Sequence, residues 1–322
     1  MTQLGDIMVV VPTLNEERHI VACLESLLCD DLELAVVVAD GGSTDGTRAL
    51  VAALTDRFPN LRLIDNPARL QSAGINRAID ECATERHRIL VRCDAHAGYP
   101  PGFVTAVAAA LDQHKAASVV VPMDSIGQTG FGRAAAWIVD TPLGSGGSAH
   151  RGGHKSGPVD HGHHAGMHLG WFRRIGGYDP DFSHNEDAEY DHRLGLAGGE
   201  IWMQSDIRLD YVMRPTFRTL ARQYWNYGRG RARTVLKHQM RPKLRQLIPA
   251  INLVGMVLAF ALAMVWPWAL VWPLAYLLAL GLVSLSGIRT LGAEGVWAGP
   301  ALFAMHNFWA AGFLRQIVQG RR

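Results

Sequence analysis

Two residues with metal-binding chemistry, Asp94 and His96, follow an apolar run at residues 89–91. The run predicts a buried strand, and the glycine and prolines within residues 98–101 predict a turn. Residues two apart in an extended backbone point to the same side, so both side chains could face one ligand. A carboxylate oxygen and an imidazole nitrogen can bind a divalent cation, which in turn binds a diphosphate. The alternative is a turn cap at Asp94 beside a solvated His96.

A second acidic group, Glu186 with Asp187, follows Ser183 and Asn185, either of which could be the N-cap of a helix. The positive end of the helix dipole keeps carboxylates in the first turn ionised. An ionised carboxylate that faces a cleft can act as a general base. Ordinary helices also begin with acidic residues, so this pair becomes a catalytic candidate only together with the other polar groups of the chain.

The elements that must position these groups are short strands that alternate with helical patterns. The apolar runs that predict strands cover residues 7–11, 34–39, 61–64, 88–91 and 118–121. This alternation predicts a doubly wound, mainly parallel α/β sheet, in which ligands bind beyond the carboxyl ends of the strands. Polar residues stand at those ends: Thr13, Asn15 and Glu16, then Asp40, Ser43 and Asp45, then Asp94 and His96.

Two common nucleotide-binding motifs are absent from this pattern. No G-x-G-x-x-G follows the first run, and no lysine-bearing phosphate loop occurs, which argues against an NAD site and an NTPase site. Residues 127–170 are rich in glycine, serine and histidine, but the histidine spacing matches no common zinc pattern. We therefore expect a mobile substrate loop there. Its histidines are His150, His154, His161, His163, His164 and His168.

The chain has 322 residues, which favours two domains or one domain with an appendage. Its formal net charge of +2 points to no polyanionic partner such as nucleic acid. The four cysteines form no C-x-x-C pair, and residues 1–6 do not resemble the start of a signal peptide, so we expect the first domain in the cytoplasm. These cysteines are Cys23, Cys29, Cys82 and Cys93.

Basic residues dominate between residues 208 and 245, where Asp210 is the only acid. Such a basic stretch next to apolar helices is attracted to an anionic membrane surface. Within it, residues 219–233 mix aromatic and basic side chains, which could hold phosphates and a sugar or lie on the membrane. The candidates for ligand binding here are Trp225, Arg229 and Arg231.

The last part of the chain is apolar. Residues 247–266 and 269–287 carry no charge, and each run is long enough to span a membrane. The basic residues Lys243, Arg245 and Arg289 flank these runs and mark the cytoplasmic side, so the hairpin tip should face outward. A third run, residues 296–314, spans the membrane, re-enters it or lies at the interface. The arginines that follow this run, Arg315, Arg321 and Arg322, conflict with a full span.

Four motifs of this chain, in the same order and spacing, resemble those of family 2 glycosyltransferases with the GT-A fold. They are Val11-Pro12-Thr13-x-Asn15-Glu16, Asp40-Gly-Gly-Ser-x-Asp45-Gly-Thr, Asp94-Ala-His96 and Glu186-Asp187. The resemblance covers residues 5 to about 235. With its C-terminal helices and its Trp225 to Arg231 segment, the chain looks most like the succinoglycan-type bacterial exopolysaccharide glucosyltransferases. We therefore expect a GT-A transferase domain, residues 1–235, and a membrane-associated region, residues 236–322, with two or three apolar helices.

The resemblance implies roles for these residues. Asp187, next to Glu186, would be the base that takes the proton of the acceptor hydroxyl while that oxygen attacks the sugar C1 with inversion. Asp94 and His96 would hold Mg²⁺ or Mn²⁺, and the metal would stabilise the leaving diphosphate. A UDP-sugar would be the donor, with Asp40 on the uracil. The other residues implied in nucleotide-sugar binding are Pro12, Thr13, Glu16, Asp45, Trp225, Arg229 and Arg231.

Two departures from the family pattern shape the expected reaction. His96 stands where the family has the second Asp of its D-x-D motif, which weakens the expected metal site. The Q-x-x-R-W motif of processive synthases is absent, and Arg222-Gln-Tyr-Trp225 stands nearby. With so few membrane helices, we expect one sugar, glucose by resemblance, to be added to a lipid-linked (polyprenyl diphosphate) saccharide. The expected location is the bacterial inner membrane, with the catalytic domain in the cytoplasm.

Three alternatives remain open at this point. A polyprenyl-phosphate sugar synthase would use a bare lipid phosphate as the acceptor. A membrane scaffold that binds nucleotide sugars would transfer nothing. A nucleotidyltransferase would release pyrophosphate from a nucleoside triphosphate, and the missing phosphate loop argues against it.

Overall fold

The computed structural model describes residues 2–28, 33–148 and 153–320. Cys29, His150, Arg321 and Arg322, which entered the sequence predictions, lie outside these ranges. The chain forms two compact units: the first joins Met1–Met123 with Gly153–Asp210, and the second joins Asp124–Gly152 with Tyr211–Arg322. The predicted boundary after residue 235 separates regions by function and stays a prediction. By packing, residues 211–235 belong with the C-terminal helices.

The first unit is built on an eight-stranded sheet. The sheet order is β3-β2-β1-β4-β8-β5-β9-β7, and two further strands, β6 and β10, pair with each other. Strands β1 to β4 are parallel to one another, whereas β8 runs antiparallel between β4 and β5. In chain order the strands are β1 (Ile7–Thr13), β2 (Ala35–Asp40), β3 (Leu61–Asp65), β4 (Ile89–Arg92), β5 (Ser118–Val121), β6 (Met123–Ile126), β7 (Gly157–Pro158), β8 (His163–His168), β9 (Ile201–Met203) and β10 (Leu209–Val212).

Helices cover both faces of this sheet, which confirms the predicted doubly wound, mainly parallel α/β fold. Apolar side chains of α1, α2 and α4 pack on one face, and those of α3, α7 and α8 pack on the other. The helices of the whole chain are α1 (Ile20–Leu28), α2 (Thr47–Arg57), α3 (Gln71–Cys82), α4 (Phe103–His114), α5 (Gly130–Val139), α6 (Pro142–Ser145), α7 (Leu169–Arg174), α8 (Glu186–Leu196), α9 (Phe217–His238), α10 (Leu244–Leu262), α11 (Val271–Leu291) and α12 (Ala298–Gln319).

Strand β1 shows why the first apolar run reads as continuous rather than alternating. Met8, Val9, Val10 and Val11 are all fully buried. A central parallel strand is covered by helices on both faces, so each side chain needs to be apolar whichever way it points. The strand ends at Thr13, and the polar residues after it lie at the carboxyl edge of the sheet.

The prediction of a mobile loop over residues 127–170 is wrong. The segment contains α5, α6, β7 and β8, and β8 lies in the middle of the sheet. Ala165 and Met167 of β8 are fully buried, and a Cβ on Gly166 would lie 2.3 Å from Val107 Cγ1. The histidines of β8 interrupt the apolar pattern that predicts a buried strand. A polar side chain can be buried when it is hydrogen-bonded, but its partners cannot be read from the local sequence.

The second unit is helical, and its closest packing is between α9 and α12. A Cβ on Gly228 of α9 would lie 2.0 Å from the Trp309 carbonyl oxygen, and one on Gly312 of α12 would lie 2.2 Å from the Trp225 carbonyl oxygen. The two glycines therefore let the helix backbones touch, which a side chain at either position would prevent. Phe131 and Ile138 of α5 pack in the same apolar cluster as α12.

Two segments of the second unit are long and apolar enough to cross a membrane, judged by length and composition: Leu244–Leu262 and Pro267–Gln319. Helices α10 and α11 expose many large apolar side chains, among them Val257, Leu258, Leu274 and Leu278. An exposed apolar surface of this extent is unusual for a protein face in water. These segments indicate membrane association. The third predicted run forms α12, which buries much of one side against other helices.

Candidate functional site

The carboxyl ends of β1 and β2 lie side by side, with Thr13 opposite Asp40 in the strand register. Asp40 is buried, and its Oδ2 accepts hydrogen bonds from the Gly42 and Ser43 amides at 3.0 and 3.1 Å and from Arg48 Nη1 at 2.8 Å. Burial by itself raises the pKa of Asp40, but the hydrogen bonds from Ser43, Arg48 and Gly42 outweigh it and hold the pKa below its usual value. Asp40 is therefore an ionised anchor for the loop that follows β2.

Asp45 closes the same loop onto the start of α2. Its Oδ1 accepts hydrogen bonds from the Thr47 amide at 3.0 Å and the Thr47 hydroxyl at 2.6 Å, and its Oδ2 accepts one from the Glu17 amide at 3.3 Å. The Thr47 hydroxyl in turn accepts a hydrogen bond from the Glu16 amide at 2.8 Å. The loops after β1 and β2 are thus joined by hydrogen bonds, and Asp45 acts through this junction.

Asp94 lies just beyond the end of β4, and its side chain is mostly enclosed. Its Oδ1 accepts a hydrogen bond from Gln71 Nε2 at 2.8 Å, and its backbone amide donates to the Tyr99 hydroxyl at 2.5 Å. Burial raises the pKa of Asp94, but the guanidinium of Arg92 opposes this effect, and the pKa stays below its usual value. The carboxylate is ionised at neutral pH, as a cation ligand requires.

Two imidazoles lie near Asp94, only one of which the sequence predicted. His96 is half exposed and its Nδ1 lies 3.1 Å from Glu16 Oε1. His163, on β8, places its Nε2 at 3.8 Å from Asp94 Oδ2 and is mostly buried. Burial lowers the pKa of His163 to about 4, so this imidazole is neutral at pH 7. His163 was missed because the antiparallel strand that delivers it was read as a loop.

The spacing of Asp94 and His163 fits a shared cation better than a direct hydrogen bond. A separation of 3.8 Å is too long for a good hydrogen bond. Ligands of Mg²⁺ lie roughly 2.0–2.1 Å from the ion, so two of them are roughly 3–4 Å apart. Across the described ranges, no three or more His, Cys, Asp or Glu side chains are grouped so that they could hold a metal ion by themselves. A cation here would need ligands from the donor or from water.

Arg92 connects Asp94 with the acidic pair of α8. Its Nη2 lies 3.2 Å from Glu186 Oε1, and its Nε lies 3.6 Å from Asp94 Oδ1. Glu186 is buried, and burial raises its pKa although Arg92 opposes the shift. Asp187 is half-buried, and its Oδ1 accepts a hydrogen bond from the Ala188 amide at 2.7 Å. The start of α8 therefore lies at the same edge of the sheet as Asp94.

Asn185 does occupy the N-cap of α8, but its side chain makes no capping hydrogen bond and its φ is +62°. The left-handed backbone, which asparagine tolerates better than most residues, turns the chain into the helix. Glu186 and Asp187 consequently stand in the first turn, as predicted, where the helix dipole favours negative charge.

A buried polar network lies behind Arg92. It consists of His161, Asp191, His164 and Tyr178. Asp191 Oδ2 lies 2.7 Å from His161 Nδ1, and Asp191 Oδ1 lies 2.7 Å from His164 Nε2. His164 Nδ1 is hydrogen-bonded to the Tyr178 hydroxyl. Burial raises the pKa of Asp191, but the two histidines outweigh it and lower the pKa to about 2. No sequence motif marked this network, since its members are brought together only by the pairing of β8 and the packing of α8.

Trp225, Arg229 and Arg231 lie on α9 of the second unit. Arg229 Nε contacts Gln316 Oε1 at 3.4 Å, and the Arg315 guanidinium lies 5.9 Å from the centroid of the Trp225 ring. These contacts belong to the packing of α9 on α12. Their predicted part in binding the diphosphate and the sugar stays a prediction, as do the predicted contacts of Pro12 and Thr13 with the nucleotide.

Comparisons with known proteins can be set beside this geometry. Residues 8–176 match the family model described as Glycosyl transferase family 2. The succinoglycan biosynthesis protein ExoA of Rhizobium meliloti (strain 1021) is 41% identical over 318 residues, which are 98% of this chain and 96% of that protein.

Two more distant proteins share most of the chain. The Methanococcus voltae dolichyl N-acetyl-alpha-D-glucosaminyl phosphate 3-beta-D-2,3-diacetamido-2,3-dideoxy-beta-D-glucuronosyltransferase is 25% identical over 244 residues, 72% of this chain and 74% of that protein. The solved structure of mannosyltransferase PcManGT from Pyrobaculum calidifontis, in complex with GDP-Man and Mn²⁺, has a TM-score of 0.64 at 20% identity. The match covers 94% of this chain and 87% of the mannosyltransferase chain, which confirms the predicted fold.

Proposed function

The chain belongs to glycosyltransferase family 2, and from that premise we propose that it transfers one glucose from a UDP-sugar to a lipid-linked saccharide, with inversion at the sugar C1. The observation that carries this proposal is the reach of Arg92, which lies 3.6 Å from Asp94 and 3.2 Å from Glu186. A single side chain spans the carboxylate assigned to the donor diphosphate and the acidic pair assigned to base catalysis. Donor and acceptor could therefore meet at this edge of the sheet.

The nucleotide would lie over the joined loops after β1 and β2, lined by Pro12, Thr13 and Glu16. Asp40 Oδ1 accepts one hydrogen bond, from the Ser43 hydroxyl, and a carboxylate oxygen can accept a second. That capacity suits an N–H of uracil. Asp45 supports the pocket indirectly, because its hydrogen bonds to Thr47 and Glu17 hold the two loops together.

Mg²⁺ or Mn²⁺ would be held by Asp94 with an imidazole, from His163 or from the predicted His96. When bound, the metal supplies positive charge that stabilises the leaving diphosphate. The chain itself prepares the site: Gln71 orients the Asp94 carboxylate, and burial keeps His163 neutral. Arg92 adds a fixed positive charge beside the carboxylates of Asp94 and Glu186, which reduces their mutual repulsion.

Of the two acidic residues that begin α8, Asp187 suits the role of general base and Glu186 does not. Glu186 is buried and occupied by Arg92, so it would hold α8 in place. Asp187 is more accessible and lies in the first turn of α8. It would accept the proton from the acceptor hydroxyl as the oxygen attacks C1 and the C1–O bond to UDP breaks.

The acceptor is proposed from the helices of the second unit and from the relatives. The apolar surfaces of α10 and α11 suit a lipid bilayer, and the basic residues Lys243 and Arg245 before α10 suit its cytoplasmic face. The name of ExoA refers to succinoglycan biosynthesis, and the name of the Methanococcus voltae relative refers to a sugar on a dolichyl phosphate. A lipid-linked saccharide of bacterial exopolysaccharide synthesis, at the inner membrane, is consistent with these features.

A donor screen on membranes that contain the full chain tests this proposal. UDP-, GDP- and dTDP-sugars are supplied with Mn²⁺ and lipid extract, and lipid-linked products are identified by mass. We expect transfer from UDP-glucose, with a new sugar–sugar bond. A product with the sugar esterified directly to a lipid phosphate would instead identify a polyprenyl-phosphate sugar synthase.

The matched control in this screen is Asp187→Asn, which keeps the shape of the side chain and removes its basicity. Loss of a general base typically lowers the rate by about 10²–10⁴-fold. Transfer by Asp187→Asn at the wild-type rate would contradict the assigned mechanism. Turnover that persists after EDTA treatment would contradict the metal requirement.

A further inference from the structure

A buried network of hydrogen-bonded side chains has no part in the reaction as proposed, yet its interior members are almost inaccessible to water. Its members are His161, Asp191, His164 and Tyr178. His164 is 1% exposed and Asp191 is 2% exposed. A buried charge and its partners are costly to enclose unless every hydrogen bond is made. The network makes these hydrogen bonds: besides its two histidine partners, Asp191 accepts a hydrogen bond from the Gly162 amide at 3.3 Å.

The hydrogen bonds of this network run in one line toward Arg92. Asp191 is ionised and can only accept, so His164 donates to it through Nε2–H. The other ring nitrogen of His164, Nδ1, is hydrogen-bonded to the Tyr178 hydroxyl. Both ring nitrogens of His164 therefore have a partner, and the Tyr178 hydroxyl is held at the end of the line that faces Arg92.

Arg92 donates a hydrogen bond to the Tyr178 hydroxyl oxygen. Its Nη1 lies 3.5 Å from the Tyr178 hydroxyl, and its guanidinium carbon lies 5.8 Å from the centre of the Tyr178 ring. Arg92 Nε has no hydrogen-bond partner within the described part of the chain. The contacts that orient the guanidinium are therefore those of Nη1 with Tyr178 and of Nη2 with Glu186, together with the longer approach of Nε to Asp94 at 3.6 Å.

We propose that Tyr178, fixed in direction by Asp191 through His164, is a positioning residue that sets the orientation of Arg92 and thereby the spacing between Asp94 and the start of α8. The inference rests on the proposed function, since it assigns Asp94 to the donor side and α8 to the base. The hydrogen bond to His164 restricts rotation of the Tyr178 hydroxyl, and Asp191, 13 positions later in the sequence, holds His164 in turn.

The structure offers a matched pair of variants for this inference. Tyr190 belongs to the same aromatic cluster, with its ring centroid 5.0 Å from that of Tyr178, and it is fully buried. Its hydroxyl has no hydrogen-bond partner in the described residues. Tyr178→Phe and Tyr190→Phe therefore remove the same atom from the same core, and only the first removes a contact with Arg92.

The full chain is assayed in detergent for sugar transfer as a function of Mn²⁺ concentration. We expect Tyr178→Phe and Asp191→Asn each to lower the rate at least tenfold and to raise the Mn²⁺ concentration for half-maximal rate at least threefold. Tyr190→Phe should stay within twofold of wild type in both. A merely structural role would lower the amount of active protein and leave the Mn²⁺ dependence unchanged. Equal effects of Tyr178→Phe and Tyr190→Phe, or an unchanged Mn²⁺ dependence, would overturn the proposal.

A thermal measurement separates failure of this inference from failure of the proposed function. The melting temperatures of Tyr178→Phe, Arg92→Lys and the double variant form a cycle that needs no activity. We expect the double variant to lose less than the sum of the single losses, because each change breaks the same contact. Absence of transfer by the wild type would contradict the proposed function, whereas additive thermal losses would contradict the positioning of Arg92 by Tyr178.

Discussion

Arg92 and Glu186 form a buried ion pair, with Nη2 and Oε1 3.2 Å apart and the side chains 6% and 9% exposed. Arg92→Met leaves the buried carboxylate of Glu186 without this partner, and breaking such a pair costs about 3–5 kcal/mol. Adding Glu186→Gln removes the remaining charge, so the double variant should recover most of that loss. Thermal and denaturant unfolding of the solubilised full chain measures both variants against the wild type.

The exposed ion pair Arg57–Glu25 provides the control for that experiment. Its atoms are 3.0 Å apart, but its side chains are 65% and 46% exposed. Water already solvates both charges, so Arg57→Met should change the free energy of unfolding by less than about 1 kcal/mol. An equal loss for Arg57→Met and Arg92→Met would refute the energetic role assigned to burial.

The metal site should depend on His163 more than on His96. We expect His163→Ala to weaken Mn²⁺ binding about 10–100-fold, the range seen when a supporting contact of a metal site is lost. His96→Ala should have a smaller effect, because its Nδ1 contacts Glu16 and its ring is half exposed. Electron paramagnetic resonance of free Mn²⁺ in the presence of UDP measures binding without turnover. A larger loss for His96→Ala would return the second metal ligand to the position predicted from the D-x-D pattern.

Asp40 should stabilise the first unit in a pH-dependent way. Its pKa is lowered in the folded state, so its contribution is full above the unfolded value of about 3.9 and disappears as the pH falls through the folded value. Asp40→Asn should destabilise the chain by about 1–3 kcal/mol at pH 7, since Ser43, Gly42 and Arg48 lose a charged acceptor. The difference in melting temperature from wild type should shrink below about pH 4.

The control for Asp40 is Asp56, an exposed residue of α2 with no ion pair within the ranges that the structure describes. Asp56→Asn should leave the melting temperature close to the wild-type value between pH 7 and pH 4. A loss for Asp40→Asn that is constant over this range and below it would show that lost packing, rather than lost charge, is responsible.

The crossing of α9 and α12 should not tolerate a methyl group at Gly228. A Cβ there would lie 2.0 Å from the Trp309 carbonyl oxygen, so Gly228→Ala must push the helices apart, at about 1–3 kcal/mol or more. Gly281 of α11 has nothing within 4 Å of its Cβ position. Gly281→Ala should therefore be neutral or gain up to about 1 kcal/mol from helix propensity. Melting temperatures that fall equally in both variants would disprove the close crossing.

Local sequence patterns predicted most of the first sheet and its carboxyl edge. The apolar runs that became β1 to β5 are short, and polar residues stand at the ends of β1, β2 and β4, so Asp40 and Asp94 could be placed at strand ends and Asp187 at a helix start. His163, Asp191 and Tyr178 could not be found in this way. Their contacts join residues distant in the chain, and β8 carries three histidines and a glycine where a buried strand usually carries apolar residues. Helix α1 begins at Ile20, after Asn15 adopts a φ of +58° and the next residues form a turn.

Helix α5 belongs to the second unit, although the chain returns to the first unit before that unit is complete. Arg133 of this helix pairs with Glu294, 161 residues later in the chain. At a synthesis rate of about 5–20 residues per second, α5 leaves the ribosome on the order of ten seconds before its partner exists. During that interval Phe131 and Ile138, buried in the finished unit, face water. Translation order therefore makes assembly of the second unit the last folding step, and the apolar side chains of α5 stay without their partners until that step is complete.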